Sequence, residues 1–195
     1  LTNVGETIAT FLDDQQQLLD EVGTSELMGI GREYATGGKR LRPGFCFWSH
    51  RAAGGDSAQD PAVLQVAASL DLLHSSALVH DDLIDAADTR RGNPAAHKRY
   101  EALHEKRRGR GSATDFGASA SVLLGDMLLM WSAEMFDRSQ APRLDEARED
   151  LSRMRMEVTA GQFLDISAAY GVSDSADELQ VANTVLEYKS ASYSI

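Results

Sequence analysis

One long apolar stretch, uninterrupted by glycine or proline, does most to constrain how this 195-residue chain folds. Asp60-Pro61 reads as a helix N-cap followed by the first helical position. From Ala62 to about Ala87 nothing breaks the pattern, and at 1.5 Å per residue such a helix runs about 40 Å. The rest of the chain reads almost entirely as helix around it. Glu6 to Val22 carries Ile8, Phe11, Leu12, Leu18, Leu19 and Val22 at near-helical spacing. A helix resumes near Ser25 and is broken by Gly37-Gly38. Another, Gly44 to Ala53, starts with Pro43 in its first turn and ends at Gly54-Gly55. Phe116 to Phe136 is apolar on most faces, as expected of a central or interface helix. Pro142 precedes a helix from Leu144 to Tyr170, Gly171 stops it, and one more starts at Asp174 and runs towards Ile195. Arg90 to Pro94 reads as a turn and Lys106 to Gly111 as a basic loop, with no strand pattern and no short-period repeat.

Composition limits what such a chain does. A hydrophobic share of 43% supports a single domain with a sizeable core. The net charge of −11, from 19 basic and 30 acidic residues, argues against general nucleic-acid binding. An anionic ligand would need local Lys/Arg clusters or bound cations. The single Cys46 allows no internal disulfide and fits a reducing cytoplasm. No apolar run is read as reaching the ~18 residues of a membrane span, and Leu1 to Thr10 lacks the pattern of a signal peptide. The expectation is a soluble, acidic, cytoplasmic domain.

The sharpest chemical signal is His80-Asp81-Asp82-Leu83-Ile84-Asp85, near the end of the long helix. Asp81 and Asp85 are four residues apart and share one helical face, where like charges repel unless a cation sits between them. The helix C-terminus disfavours negative charge further. Two hard oxygen ligands on one face suit Mg²⁺, which keeps waters and recruits substrate phosphates. The plain alternative is an acidic helix end facing solvent. Basic clusters supply the complementary half. Gly37-Gly38-Lys39-Arg40-Leu41-Arg42-Pro43 sets Lys39 and Arg42 beside a glycine turn, as a phosphate clamp would, or as a basic helix cap would. Arg90-Arg91-Gly92 follows the acidic motif closely enough either to pair with its carboxylates or to hold an anion bridging a metal. His74, seven residues before Asp81, lies on nearly the same stripe as a core histidine or a phosphate donor. Gln162 and Asp165 share a later helix, and Lys189-Ser190 come near the end. The run Lys106, Arg107, Arg108, Arg110 reads as a solvated loop, and no Ser-His-Asp or zinc-ligand spacing occurs.

The motif order G-G-K-R-L-R-P, L-L-H-S-S-A-L-V-H-D-D-L-I-D, R-R-G-N-P-A-A-H, L-L-G-D, G-Q-F-L-D and Y-K-S resembles the trans-prenyl diphosphate synthases, or polyprenyl synthetases, of the geranylgeranyl type. The resemblance runs from about Tyr34 to the last residue and corresponds to the N-terminal two-thirds of such a synthase. It implies an all-α isoprenoid synthase-type bundle with a central cavity, as one domain over residues 1–195, usually in a homodimer. It also implies an enzyme of isoprenoid biosynthesis that joins isopentenyl diphosphate to an allylic diphosphate with Mg²⁺ and releases pyrophosphate. On that resemblance Lys39, Arg42, His74 and Arg91 hold the isopentenyl diphosphate group. Asp81 and Asp85 hold Mg²⁺, with Asp82 in support. Arg90, Lys189, Ser190 and Gln162 face the allylic diphosphate, and Asp165 lines the same site.

The family carries a second aspartate-rich motif, and none occurs between Glu101 and Ile195. The expectation is therefore a chain truncated before that motif, binding substrate weakly and turning over poorly. Ser76 and Ala77, five and four residues before Asp81, are both small and leave the first layer of a chain-length wall open, with Leu70, Leu72 or Leu73 as a deeper floor. That predicts a product of twenty carbons or longer. Competing readings are a non-catalytic regulatory subunit of a heteromeric synthase, a terpene cyclase, which would have no use for Lys39, Arg42 and His74, and a bundle with a solvated acidic end.

Overall fold

The computed structural model describes residues 2–173 and 177–192. Its regular structure is all-α apart from one two-residue hairpin. The chain divides into two compact units, residues 1–140 and 141–195.

The first unit holds α1 (Thr2–Val22), α2 (Ser25–Thr36), α3 (Leu41–Ala52), a 3₁₀ turn at Ser57–Gln59, α4 (Asp60–Ile84), strands β1 (Thr89–Arg90) and β2 (Asn93–Pro94), α5 (Ala96–Lys106) and α6 (Ala113–Arg138). In α1 the residues Val4, Ile8, Phe11 and Leu12 are buried, an i, i+4, i+7, i+8 stripe. The stripe expected from sequence continues to Leu18, Leu19 and Val22, but Leu18 and Val22 are exposed and only Leu19, half-buried, still packs against the core. Helix α4 is the central element and packs against α6, α3 and α1. It starts one residue earlier than expected, with Asp60 inside the helix and Pro61 in its first turn, and it stops at Ile84 rather than Ala87. Its buried face includes Ser69, Asp71, Ser75, Ser76 and Asp82. The Ser132 hydroxyl on α6 donates to the Ser69 carbonyl at 2.8 Å, fastening the two long helices together.

Helices α4 and α6 are long and apolar enough to cross a membrane by length and composition, contrary to the sequence expectation. In this bundle they pack on each other as core helices. Helix α3 begins at Leu41, which puts Pro43 in its first turn. Helix α5 has no counterpart in the expectation from sequence. Its buried groups are Ala96, His97 and Tyr100, with Leu103 packed against the core one turn on, a short and largely polar stripe between two basic turns. Helix α6 is capped by the Ser112 hydroxyl, which accepts from the Asp115 N–H at 3.1 Å.

The second unit holds α7 (Leu144–Ala169), α8 (Glu178–Val185) and a π-helical turn, Leu186–Ala191. Asp177 caps α8, accepting from the Gln180 N–H at 3.1 Å. The sequence predicts a last helix from Asp174 to Ile195, and both of those ends lie outside the described residues.

Candidate functional site

The three aspartates at the end of α4 divide into two kinds. Asp82 points into the bundle with no exposed surface. Its Oδ1 accepts from Arg90 Nε at 2.7 Å and from Arg90 Nη2, and its Oδ2 accepts from the Tyr34 hydroxyl at 2.9 Å. Both oxygens are thus taken by protein donors. Asp81 is half-buried, 3.7 Å from Arg90, and Asp85 is the exposed C-cap residue of the helix. One turn of helix places Asp81 and Asp85 on a common face, while Asp82 is rotated about 100° away from Asp81.

The hairpin after α4 aims the two arginines differently. Arg91 and Gly92 both have positive φ, 52° and 81°, which makes the Arg90-to-Asn93 link a type I′ turn. Arg90 turns back to Asp82. Arg91 reaches the loop between α2 and α3 instead. A Cβ placed on Gly37 would lie 2.2 Å from Arg91 Nη1, and one on Gly38 would lie 2.8 Å from Nη2. The glycine pair is therefore the seat of the Arg91 guanidinium, and any side chain at Gly37 would occupy its place.

Arg40, with φ of 52°, turns its side chain to α4, where it pairs with the nearly buried Asp71 and donates from Nη2 to the Thr36 carbonyl at 3.0 Å. Burial pushes the Asp71 carboxyl up to about 6, against the lowering pull of Arg40, Arg91 and Arg42. One turn further along α4 stands His74. Burial is the main cause that lowers its imidazole to about 4, and the charges of Arg42, Arg91 and Arg90 add to it. Those four side chains thus form one electrostatic cluster, with His74 held neutral among guanidinium groups. Lys39 stands exposed on the same loop. An anion brought here would meet several cations and a neutral imidazole N–H.

Sequence reasoning assigns no role to Tyr34, Arg40 or Asp71. Asp71 has a visible signal, a lone acid between leucines on an apolar helix. The possibility that an arginine pairs with the motif's carboxylates holds for Arg90, whose main partner is Asp82. Ser76 is buried and Ala77 half-buried on α4.

In the second unit Gln162 and Asp165 lie on α7, and Lys189 on the π-helical turn pairs with Asp165 at 2.5 Å. Gly161 makes this possible, since a Cβ there would lie 2.6 Å from the Lys189 backbone nitrogen. Asp165, Lys189 and Ser190 border a cavity of about 720 Å³ whose other walls include Val181, Val185 and Leu186. π-Turns of this kind are frequent at functional sites.

Among the described residues no group of three His, Cys, Asp or Glu side chains forms a cage that could hold a metal by itself. Asp81 and Asp85 match a different arrangement, in which an octahedral Mg²⁺ takes one or two carboxylates and fills its shell with water and phosphate.

The family profile described as Polyprenyl synthetase matches residues 25–195. The geranylgeranyl pyrophosphate synthase of Geoglobus acetivorans is 32% identical over 155 residues, covering 78% of this chain and 43% of that protein. The geranylgeranyl diphosphate synthase of Saccharolobus solfataricus is 28% identical, covering 96% of this chain and 58% of its own. Among solved structures, the geranylgeranyl pyrophosphate synthase from Corynebacterium glutamicum, complexed with isoprenyl diphosphate and magnesium, has a TM-score of 0.88 and 34% identity. It covers all of this chain and 56% of that one. The chain thus spans about half the length of the relatives it matches. With the profile extending over most of its residues and the motifs on the elements described above, this chain belongs to the polyprenyl synthetase family.

Proposed function

We propose that this protein is a trans-prenyl diphosphate synthase of the dimethylallyl, geranyl or farnesyl transferase type. It condenses isopentenyl diphosphate with an allylic diphosphate, head to tail, and releases pyrophosphate. The single observation that carries this reading is the division of labour in the first unit. Two carboxylates of one motif stand together on one face of α4 while the third is consumed inside the fold, next to a cluster of arginines around a neutral histidine.

The assigned roles follow from charge and donor type. Asp81 and Asp85 would hold Mg²⁺, which would supply charge neutralisation for the departing diphosphate. Lys39, Arg42, Arg91 and His74 bind isopentenyl diphosphate, His74 as a neutral hydrogen-bond donor. Arg90 faces the allylic diphosphate and stabilises negative charge as the C–O bond ionises. In the second unit Lys189, Ser190 and Gln162 are assigned to the allylic diphosphate on the resemblance alone, with Asp165 fixing Lys189. The alkene of isopentenyl diphosphate attacks the allylic cation, and the departing pyrophosphate takes the proton then lost, so no protein nucleophile is required. The small Ser76 and Ala77 support a product of twenty carbons or longer, and Ala77→Phe is expected to shorten it.

The exposed apolar residues Val122, Leu123, Leu129 and Met130 recur at seven-residue spacing on α6, with Leu123 at 60% and Met130 at 62% exposure, which supports a homodimer. Cys46, whose thiol burial pushes up to about 11, is an inert packing group, in keeping with a cytoplasmic setting.

Calorimetry with an allylic bisphosphonate tests the assignment. Binding that requires Mg²⁺ and disappears in Asp81→Ala supports the synthase. Heat of binding unaffected by Mg²⁺, or none at all, overturns it.

A further inference from the structure

Tyr34 lies on α2, one turn before the glycine pair, and is only 6% exposed. Its hydroxyl has two partners on different elements. It donates to Asp82 Oδ2 at 2.9 Å and accepts from the Ala96 N–H, the first amide of α5, at 3.0 Å. Its carbonyl in turn accepts from the Ser75 hydroxyl on α4 at 3.1 Å. Asp82 receives the Arg90 fork on its other oxygen. The phenol thus stands behind the carboxylate that stands behind the arginine. Burial, together with the Asp82 carboxylate, pushes the phenol up to about 12, so it stays protonated as a donor.

An unpaired oxygen on a carboxylate with no exposed surface would be free to rotate towards other donors or to draw in water. With Oδ2 tied to Tyr34, Asp82 offers Oδ1 to Arg90 in one orientation only. The guanidinium then has a fixed Nε and Nη2, and that same Nη2 lies 3.7 Å from Asp81 Oδ2, which sets the guanidinium beside the Asp81 carboxylate.

We propose that Tyr34 is a positioning residue: through Asp82 it fixes the Arg90 guanidinium beside the Asp81/Asp85 face, so that Arg90 meets the allylic diphosphate without first having to be ordered. The substrate half of this inference rests on the function proposed above; the hold on Arg90 does not. Tyr34 itself touches no substrate. The same stretch of α2 and its following loop thus sets both arginines of the hairpin, Arg90 through Tyr34 and Asp82, and Arg91 through Gly37 and Gly38.

Two readouts test it. In ¹⁵N spectra of the ligand-free protein, the Arg90 Nε–H is expected to be shifted from the bulk of arginine signals and slow to exchange. Tyr34→Phe is expected to return it towards the bulk and speed its exchange at least tenfold. 3-Fluorotyrosine at position 34, which keeps the fold and strengthens the donor, is expected to move the same signal. An Arg90 Nε–H that ignores both changes overturns the proposal. In calorimetry with Mg²⁺ and an allylic bisphosphonate, Tyr34→Phe is expected to weaken binding about tenfold, and to have no further effect in an Arg90→Ala background. Equal weakening in both backgrounds overturns it, since Tyr34 would then act by another route. A wild type that binds no bisphosphonate removes the functional reading and the substrate half with it, while the Arg90 signal still decides the hold.

Discussion

Replacing Gly37 by alanine separates the seating of Arg91 from the stability of the fold. Gly37 has φ −86° and ψ 162°, a conformation open to any residue, so alanine brings no backbone strain. What it meets is the Arg91 guanidinium, with Nη1 at 2.2 Å and Cζ at 3.3 Å from the new methyl carbon, and the Glu33 carbonyl oxygen at 3.3 Å, a contact that a few tenths of an ångström of shift relieves. Ordinary contact needs about 3.5 Å, so the tip of Arg91 must retreat by at least about 1.3 Å. Arg91 is exposed and its side chain is long, so it yields at little cost to folding. Loss of glycine from the unfolded chain offsets that cost by about 0.4–1 kcal/mol. A charge-assisted hydrogen bond is worth about 1.5–3 kcal/mol, which converts to a loss of roughly 10- to 150-fold in affinity. On the function proposed above, the expectation is therefore a KM for isopentenyl diphosphate raised roughly 10- to 150-fold in Gly37→Ala, with stability within about 1 kcal/mol of wild type. Steady-state kinetics against isopentenyl diphosphate and urea unfolding measure the two quantities. The effect should be absent when Arg91→Ala is already present. An unchanged KM, or a stability loss above about 2 kcal/mol, refutes the reasoning that the glycine pair exists to seat Arg91.

Asp71→Ala leaves the Arg40 guanidinium inside the bundle without its carboxyl partner and is expected to lower unfolding free energy by about 3–5 kcal/mol, read by denaturant titration. His74 should titrate near pH 4 by NMR in the free protein, and move upward when inorganic pyrophosphate screens Arg42 and Arg91. Because its folded value lies below the ordinary 6.5, the unfolded chain takes the proton first; this stability is complete above about pH 6.5 and lost as pH falls to 4. Asp71, raised from 3.8 to about 6, has the opposite effect, its contribution declining as pH rises through that range, so the stability profile between pH 4 and 6 should be flatter than either group alone would give. Gly29→Ala, at an exposed interior position of α2 with nothing within 4 Å, should raise stability by about 0.5–1 kcal/mol in the same unfolding assay.

The elements that carry strong local signals are legible in the residue order. The long apolar run that forms α4, the apolar α6 and the glycine-stopped α7 each follow from periodicity and breakers. Asp81 and Asp85 follow from helical geometry alone, since four residues make about one turn. Helix α5 is hidden because its inward stripe is short, with Ala96, Tyr100 and Leu103 the apolar members among charged residues. The outer part of α1 looks more buried in sequence than it is, because periodicity does not say where a covering surface ends. The cluster around His74 is partly legible, since Lys39, Arg42 and Arg91 are chemically conspicuous.

What the residue order settles by itself is local: the helices, the shared face of Asp81 and Asp85, and a turn at the arginine-glycine pair. The tertiary structure decided which aspartate is withdrawn from that face and what each arginine is tied to. Tyr34 meets Asp82 across 48 residues and Ala96 across 62, and Arg40 meets Asp71 across 31. Contacts of that range depend on how α2, α4 and the hairpin pack. Helical periodicity repeats every 3.6 residues and carries no information about which turn of one helix faces which turn of another.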